Sequence, residues 1–266
     1  MAVTMVRPSE FVANRILMLL SAPALAHLEP HLTHLPLSSR DILHQPDVPI
    51  DTVYFPTDGA VSLVAFGASG GAVEVGTVGC EGIVGLAALF GATSTPMQAI
   101  IQLPGEGFRM PAAVARAGYA SGGEFTDIVN RFAAAQMVQT GQTAACNRLH
   151  PLNQRAARWL LTMHDRVEGD MLPLTHEFLS VMLGTARPKV TVALSRLSRA
   201  GLVRIGRAAV TVVDRTGLEG ASCGCYDIIR TEYERLVGSR RADSRLRARA
   251  EGPPGGPSDR TTARVE

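Results

Sequence analysis

The apolar positions of this chain change their period several times. Across residues 9–35, Ile16, Leu19, Leu20, Leu25, Leu28, Leu32 and Leu35 recur at roughly helical spacing, which predicts one or two short amphipathic helices. From about residue 37 to 110 the texture turns to short β-type runs at 52–55, 61–66 and 72–75, punctuated by Pro56, Gly59, Gly67, Gly70 and Gly71. Many short strands with turn signals at close intervals predict a small jelly roll. After Pro111 the helical period returns. Ser121 and Glu124 have capping-box spacing, and Phe125, Ile128, Phe132, Ala135, Gln139, Gln142 and Cys146 follow at alternating steps of three and four. That is a heptad seam, apolar in its first half and polar in its second. It suits a helix packed on the β-domain or a dimer-forming helix. The second reading is preferred, with Phe125, Ile128, Phe132, Ala135 and Gln139 as the interface. A helix over about 151–166 then places Ala157, Leu160, Leu161 and His164 on one side.

Residues 174–214 repay closer reading. Thr175 is placed to cap a helix whose Phe178, Leu179, Met182 and Leu183 share one face. Gly184 and Thr185 interrupt the pattern as a turn between two helices requires. Val190, Leu194 and Leu197 then mark a second helix, with Gly201 where a C-terminal cap belongs. Two strand-like runs at 202–205 and 209–213, joined by Gly206-Arg207-Ala208, complete a winged helix-turn-helix. Asp214 is expected to cap one more helix running to about Val237.

Charge sharpens this picture. The net charge is only +2, but residues 1–120 hold five Arg against nine acids, whereas 170–238 hold nine basic residues against seven acids. Between Phe178 and Val213 there is no Asp or Glu, while Arg187, Lys189, Arg196, Arg199, Arg204 and Arg207 all fall there. Such a footprint suits a polyanion. Four cysteines, at 80, 146, 223 and 225, are too few and too scattered for a disulfide framework and point to a reducing, cytoplasmic setting. Cys223 and Cys225 have no ligand pair beside them in sequence, so all four cysteines read as structural and no metal site is expected. The 16–26 run imitates a signal peptide, but Glu10 and Pro23 argue against one. Residues 239–266 hold almost no large apolar side chain and read as a disordered basic tail.

β-domain, seam helix and winged helix in this order resemble the Crp/Fnr family of bacterial transcription regulators. The resemblance runs over about 14–237 and is strongest in YFPTDGAVSLVAF, EVGTVGCEGIVGL, CNRLHPLNQRAARWLL and LPLTHEFLSVMLGTARPKVTVALSRLSRAGLV. It implies an α+β architecture. A cyclic-nucleotide-binding-like β-roll would occupy 1–120, a dimerisation helix 121–150, a winged helix-turn-helix 151–237 and a tail 238–266. It further implies a homodimer on a two-fold symmetric operator in double-stranded DNA, with RNA polymerase as a partner. Base readers would be Arg187, Lys189, Thr191 and Val192. Phosphate contacts would fall to Thr175, Arg196, Arg199, Arg204 and Arg207.

Two family features are missing. Nucleotide-binding members carry a Glu for the ribose hydroxyl and an Arg for the cyclic phosphate. Here Leu86 falls where the Glu belongs, and Pro96 and Met97 fall near the Arg. No ionisable side chain lies between Gly82 and Gln102, so binding of cyclic AMP by the usual mechanism is not expected, no cofactor is predicted and the effector is unknown. Iron–sulfur members use cysteines near the N-terminus, and this chain has none before Cys80. On the second helix, Pro188 and Val192 replace a Glu and an Arg of the cyclic-AMP-responsive relatives, so the sequence read should differ. The alternative to a DNA reader is a winged-helix protein-interaction or signal-sensing module. An enzyme on the jelly roll ranks last, since Glu74, Glu81 and Glu106 are scattered and no His–carboxylate set accompanies them.

Overall fold

The computed structural model describes residues 14–68 and 70–238. The expected tail at 239–266, and the start of the first helical stretch at 9–13, lie outside the described residues. Two short helices, α1 (Arg15–Met18) and α2 (Ala22–Leu28), open the chain, followed by a 3-10 turn at Glu29–His31. Asn14 caps α1 by accepting from the Ile16 and Leu17 amides. Leu35, read as helical, lies instead in β1 (Thr33–Leu37).

The expected β-roll is formed by seven strands: β1, β2 (Ile42–His44), β3 (Thr52–Pro56), β4 (Ala60–Phe66), β5 (Ala72–Val78), β6 (Gln98–Leu103) and β7 (Gly105–Pro111). They make two antiparallel sheets, ordered β1-β7-β3 and β2-β6-β4-β5. Inward residues alternate in β3 as a half-buried strand dictates, whereas β4, β5 and β6 each carry a run of three buried residues where the roll is covered on both faces. Val53, Phe55, Val61, Ile101, Phe108 and Met110 are buried and fill the space between the sheets, joined by Ile83, Val84 and Leu89 from the β5–β6 connection. A short helix, α3 (Leu86–Leu89), sits in that connection. Leu86, at the place of the family's ribose-binding Glu, is half-buried at its start.

Helix α4 (Ala112–Ala120) leads into α5 (Glu124–Leu149), the seam helix. The capping box does not form. Ser121 ends α4, Gly123 precedes α5, and the Glu124 carboxylate instead accepts from the amide and hydroxyl of Ser21, at 2.7 and 2.8 Å. Helix α6 (Leu152–His164) follows the Pro151 joint, then β8 (Met171–Leu172), α7 (His176–Met182), α8 (Arg187–Arg199), β9 (Val203–Gly206) and β10 (Ala209–Val212). The last expected helix is in fact two, α9 (Arg215–Ala221) and α10 (Cys225–Val237). Asp214 caps the first as expected, accepting from the Gly217 amide at 2.9 Å. Ser222 is extended and breaks the run.

The two cores meet. Ala60, Val64 and Leu103 of the β-roll pack into the same apolar cluster as α6 and the winged helix, while Ile229, Tyr233 and Val237 of α10 join the β-roll core beside Phe132. No helix among the described residues is long and apolar enough to cross a membrane.

Candidate nucleic-acid interface

The helix-turn-helix is built from local signals. Thr175 Oγ1 accepts from the Phe178 amide at 3.1 Å, which satisfies one of the orphan donors at the start of α7. Leu179, Met182 and Leu183 turn inward. Gly184 then takes φ +57, and a Cβ built on it would lie 2.9 Å from the Val73 side chain of β5. Backbone conformation and close packing both require glycine there. Helix α8 begins at Arg187, with Pro188 in its first turn, where a missing N–H costs nothing. Val190, Ala193, Leu194 and Leu197 are buried, and Gly201 follows the helix at φ +75.

The opposite side of α8 carries the predicted readers. Arg187, Lys189, Thr191, Val192, Arg196 and Arg199 are all exposed. Two have neighbours that reading from sequence alone did not foresee. Arg187 Nε lies 3.9 Å from Glu177 Oε2, in the first turn of α7. Thr191 Oγ1 donates to the Arg187 carbonyl at 3.2 Å and lies 2.9 Å from His176 Nδ1. The wing is a β9–β10 hairpin pairing Ala209 with Gly206, and Ala208 at φ +55 makes the tight turn. Strand β8, not foreseen, adds to its other edge through Val210–Leu172 pairing. Arg204 and Arg207 are exposed on the wing, and Thr175, which lines a small cavity together with Ala208 of the wing turn, is half-buried. The structure thus gathers the predicted cations on one domain with its apolar face turned away.

The dimer-interface residues are placed otherwise. Phe125, Ile128, Phe132, Ala135 and Gln139 are buried within the chain, from 0 to 6% exposed. The apolar half of the seam meets the β-roll core and α10. In the polar half, Gln139 Oε1 accepts from the Thr77 amide at 2.9 Å, and its Nε2 donates to Thr77 Oγ1 at 3.2 Å. This seam therefore serves the first of the two uses its pattern allowed, a helix packed on its own β-domain.

Between head and β-roll lies a joint the sequence did not announce. Trp159 of α6, fully buried, donates from Nε1 to Glu74 Oε1 at 3.0 Å, and Ser62 donates to Glu74 Oε2 at 2.5 Å. Burial pushes the Glu74 carboxyl up to about 7, against the pull of Ser62 and of Arg158. Nearby, Arg166 donates to Glu81 Oε1 from Nη2 at 2.6 Å and from Nε at 3.1 Å. Burial alone would raise the Glu81 carboxyl, but the adjacent guanidinium together with the Gly79 and Glu81 backbone amides outweighs it and holds the carboxyl below its ordinary value. A cavity of about 380 Å³ opens here, lined by Glu81, Asp165, Arg166, Arg215, Tyr226 and Tyr233 among others. The only hint in sequence was an acid, Glu74, inside the otherwise apolar run Ala72-Val73-Glu74-Val75.

The cysteines also group in space. Cys223 and Cys225, which have no ligand pair near them in sequence, are brought against Cys146 and His150 at the end of α5. Cys80 lies elsewhere, beside the joint cavity.

The described chain is thus a β-roll joined by a long helix to a winged helix-turn-helix. Residues 154–221 match the family model of the Crp-like helix-turn-helix domain. The chain is similar in structure to a protein from Eubacterium rectale assigned to the Crp/Fnr family, with a TM-score of 0.61 at 16% identity over 76% of this chain and 94% of that one. It is also similar to FixK2 from Bradyrhizobium japonicum, with a TM-score of 0.61 at 18% identity over 72% and 98%. A CRP-family transcriptional regulator from Thermus thermophilus gives 0.59 at 21% over 71% and 96%. No curated protein matches the sequence. The winged helix matches the Crp-like helix-turn-helix domain, and the part of the chain that these structures cover shares their fold.

Proposed function

We propose that this protein is a sequence-specific, double-stranded-DNA-binding transcription regulator that acts as a homodimer. The observation that carries the reading is the exposed cationic surface of α8 and the wing, free of acids from Phe178 to Val213, on a Crp-like helix-turn-helix. Arg187, at the first position of α8, stands where base edges meet a recognition helix and is suited to pair with guanine O6 and N7. Releasing it from Glu177 costs little, since an ion pair this exposed contributes about 0–1 kcal/mol. Lys189 and Thr191 read neighbouring positions, Val192 meets a thymine methyl, and Thr175, Arg196, Arg199, Arg204 and Arg207 hold phosphates. RNA polymerase is the downstream partner of such a regulator.

The dimer forms through the other side of α5. Asn130, Ala134, Met137, Gly141 and Ala144 recur there at steps of four and three, and Met137 is 75% exposed. Small residues at Ala134, Gly141 and Ala144 let a second helix approach closely. Met137→Asp should shift the chain from dimer to monomer in sedimentation velocity and weaken operator binding at least about tenfold, because one half-site is then lost. The β-roll does not take cyclic AMP through a phosphate–arginine pair, since residues 83–101 offer no cation.

The deciding experiment is a fluorescence-anisotropy titration on the selected operator and a scrambled duplex at several salt concentrations. A DNA reader loses affinity steeply with salt and prefers the operator. A winged helix that serves only to bind protein shows neither.

A further inference from the structure

Cys146 lies in the last turn of α5, and His150 is the residue that ends it. Cys223 lies in the short link after α9, and Cys225 is the first residue of α10. All three thiols are buried and His150 is half-buried. Cys146 Sγ is 3.4 Å from Cys223 Sγ, and Cys225 Sγ is 3.4 Å from His150 Nδ1. The four donor atoms all lie within 4.8 Å of one another.

We propose that Cys146, His150, Cys223 and Cys225 bind one tetrahedral zinc ion that clamps the end of α5 to the start of α10. Three cysteines and a histidine are a closed structural zinc set, with no position left open for water. With metal–sulfur bonds of about 2.3 Å and metal–nitrogen bonds of about 2.0–2.1 Å, tetrahedral ligands sit roughly 3.5–3.8 Å apart, close to the spacing found here. The group is too compact for an iron–sulfur cluster, whose ligands are divided among different irons. Three thiolates around a divalent ion leave one negative charge. Arg158, a buried guanidinium acting on Cys146, supplies the counter-charge, and its Nε has no hydrogen-bond partner of its own. Gln142 Nε2, 3.2 Å from Cys225 Sγ, donates to a sulfur as outer partners of zinc thiolates do. Cys225 at the start of α10 gains from the positive end of that helix.

The position gives the ion a task. His150 and Pro151 form the bend between the seam helix and α6, so a filled site ties that bend to the helix lying across α5. This stands apart from the DNA-reading proposal, because its readout is metal content and not DNA affinity.

The test uses the full chain, purified anaerobically with reductant and without chelator. Mass spectrometry of the metal should find about one zinc per chain. Replacement by Co²⁺ should give the thiolate charge-transfer and intense visible bands of a tetrahedral sulfur-rich site. His150→Cys should keep those bands and shift them, Cys225→Ser should lose the ion, and Cys80→Ser should keep it. The cobalt spectrum of the unmutated chain decides the matter even if a cysteine variant fails to fold. The proposal is overturned by a folded chain that takes up neither zinc nor cobalt, by iron with acid-labile sulfide in place of zinc, or by a Cys146–Cys223 disulfide in the protein as isolated.

Discussion

Two arginine–glutamate pairs in this molecule show how environment assigns a role to identical chemistry. On the outer face of the head, Arg187 and Glu177 lie 3.9 Å apart, 66% and 72% exposed. At the inner joint, Arg166 and Glu81 lie 2.6 Å apart, 8% and 10% exposed. Water screens the first pair and leaves the arginine available to a stronger anion. The second has exchanged its water for protein partners, each other together with the Thr162 carbonyl and the Gly79 amide, and ties α6 to the β-roll. The outer face is where a ligand can be exchanged, and the inner face is where the head is held.

Breaking the buried pair should have the largest effect. Glu81→Ala strands a guanidinium and should cost about 3–5 kcal/mol in denaturant unfolding, whereas the double variant Glu81→Leu with Arg166→Met should recover most of it. Equal losses in both would show that the pair itself, not the stranded charge, carries the stability.

Glu74 tests the joint through pH. Its carboxyl is raised to about 7 from an ordinary 4.5, so the folded state holds the proton more tightly than the unfolded one. The associated stability is complete below pH 4.5 and is lost as pH rises through about 7. Measured against Glu74→Gln, which cannot titrate, the parent chain should lose about 3 kcal/mol across that window. A parallel pair of stability curves would mean the carboxyl stays ionised.

The outer face should respond in binding alone. Arg187→Ala should cost about 1–3 kcal/mol on the operator and relax preference at one base pair, with the melting temperature unchanged. Equal losses on operator and scrambled DNA would reduce Arg187 to a phosphate contact. Smallest of all, Glu177→Ala should change stability by less than about 0.5 kcal/mol and slightly tighten DNA binding by removing the competing carboxylate.

Much of the reading head was legible because its signals lie within a turn or two of one another. Thr175 caps the amide three residues on, Gly184 and Gly201 take the positive φ values a turn and a helix end demand, and the spacing of Val190, Leu194 and Leu197 fixes which side of α8 faces out. The β-roll was legible from alternation and turn residues, although neither reveals which strands pair.

What the sequence could not supply was the choice of partner. The heptad pattern of α5 marks a buried stripe correctly, but a stripe does not say whether a second chain or the chain's own β-roll and α10 will bury it. Ser121 and Glu124 had the spacing of a cap, yet Glu124 found Ser21, 103 positions away. Glu74 with Trp159, and Glu81 with Arg166, are each 85 residues apart, and Cys146 is 77 from Cys223. Local periodicity fixes the conformation of a segment, because its hydrogen bonds and packing face close within the segment. Ion pairs, buried polar bonds and metal ligands close only when distant segments dock, so the tertiary structure alone decided that the head is anchored to the β-roll and that four scattered ligands face one point.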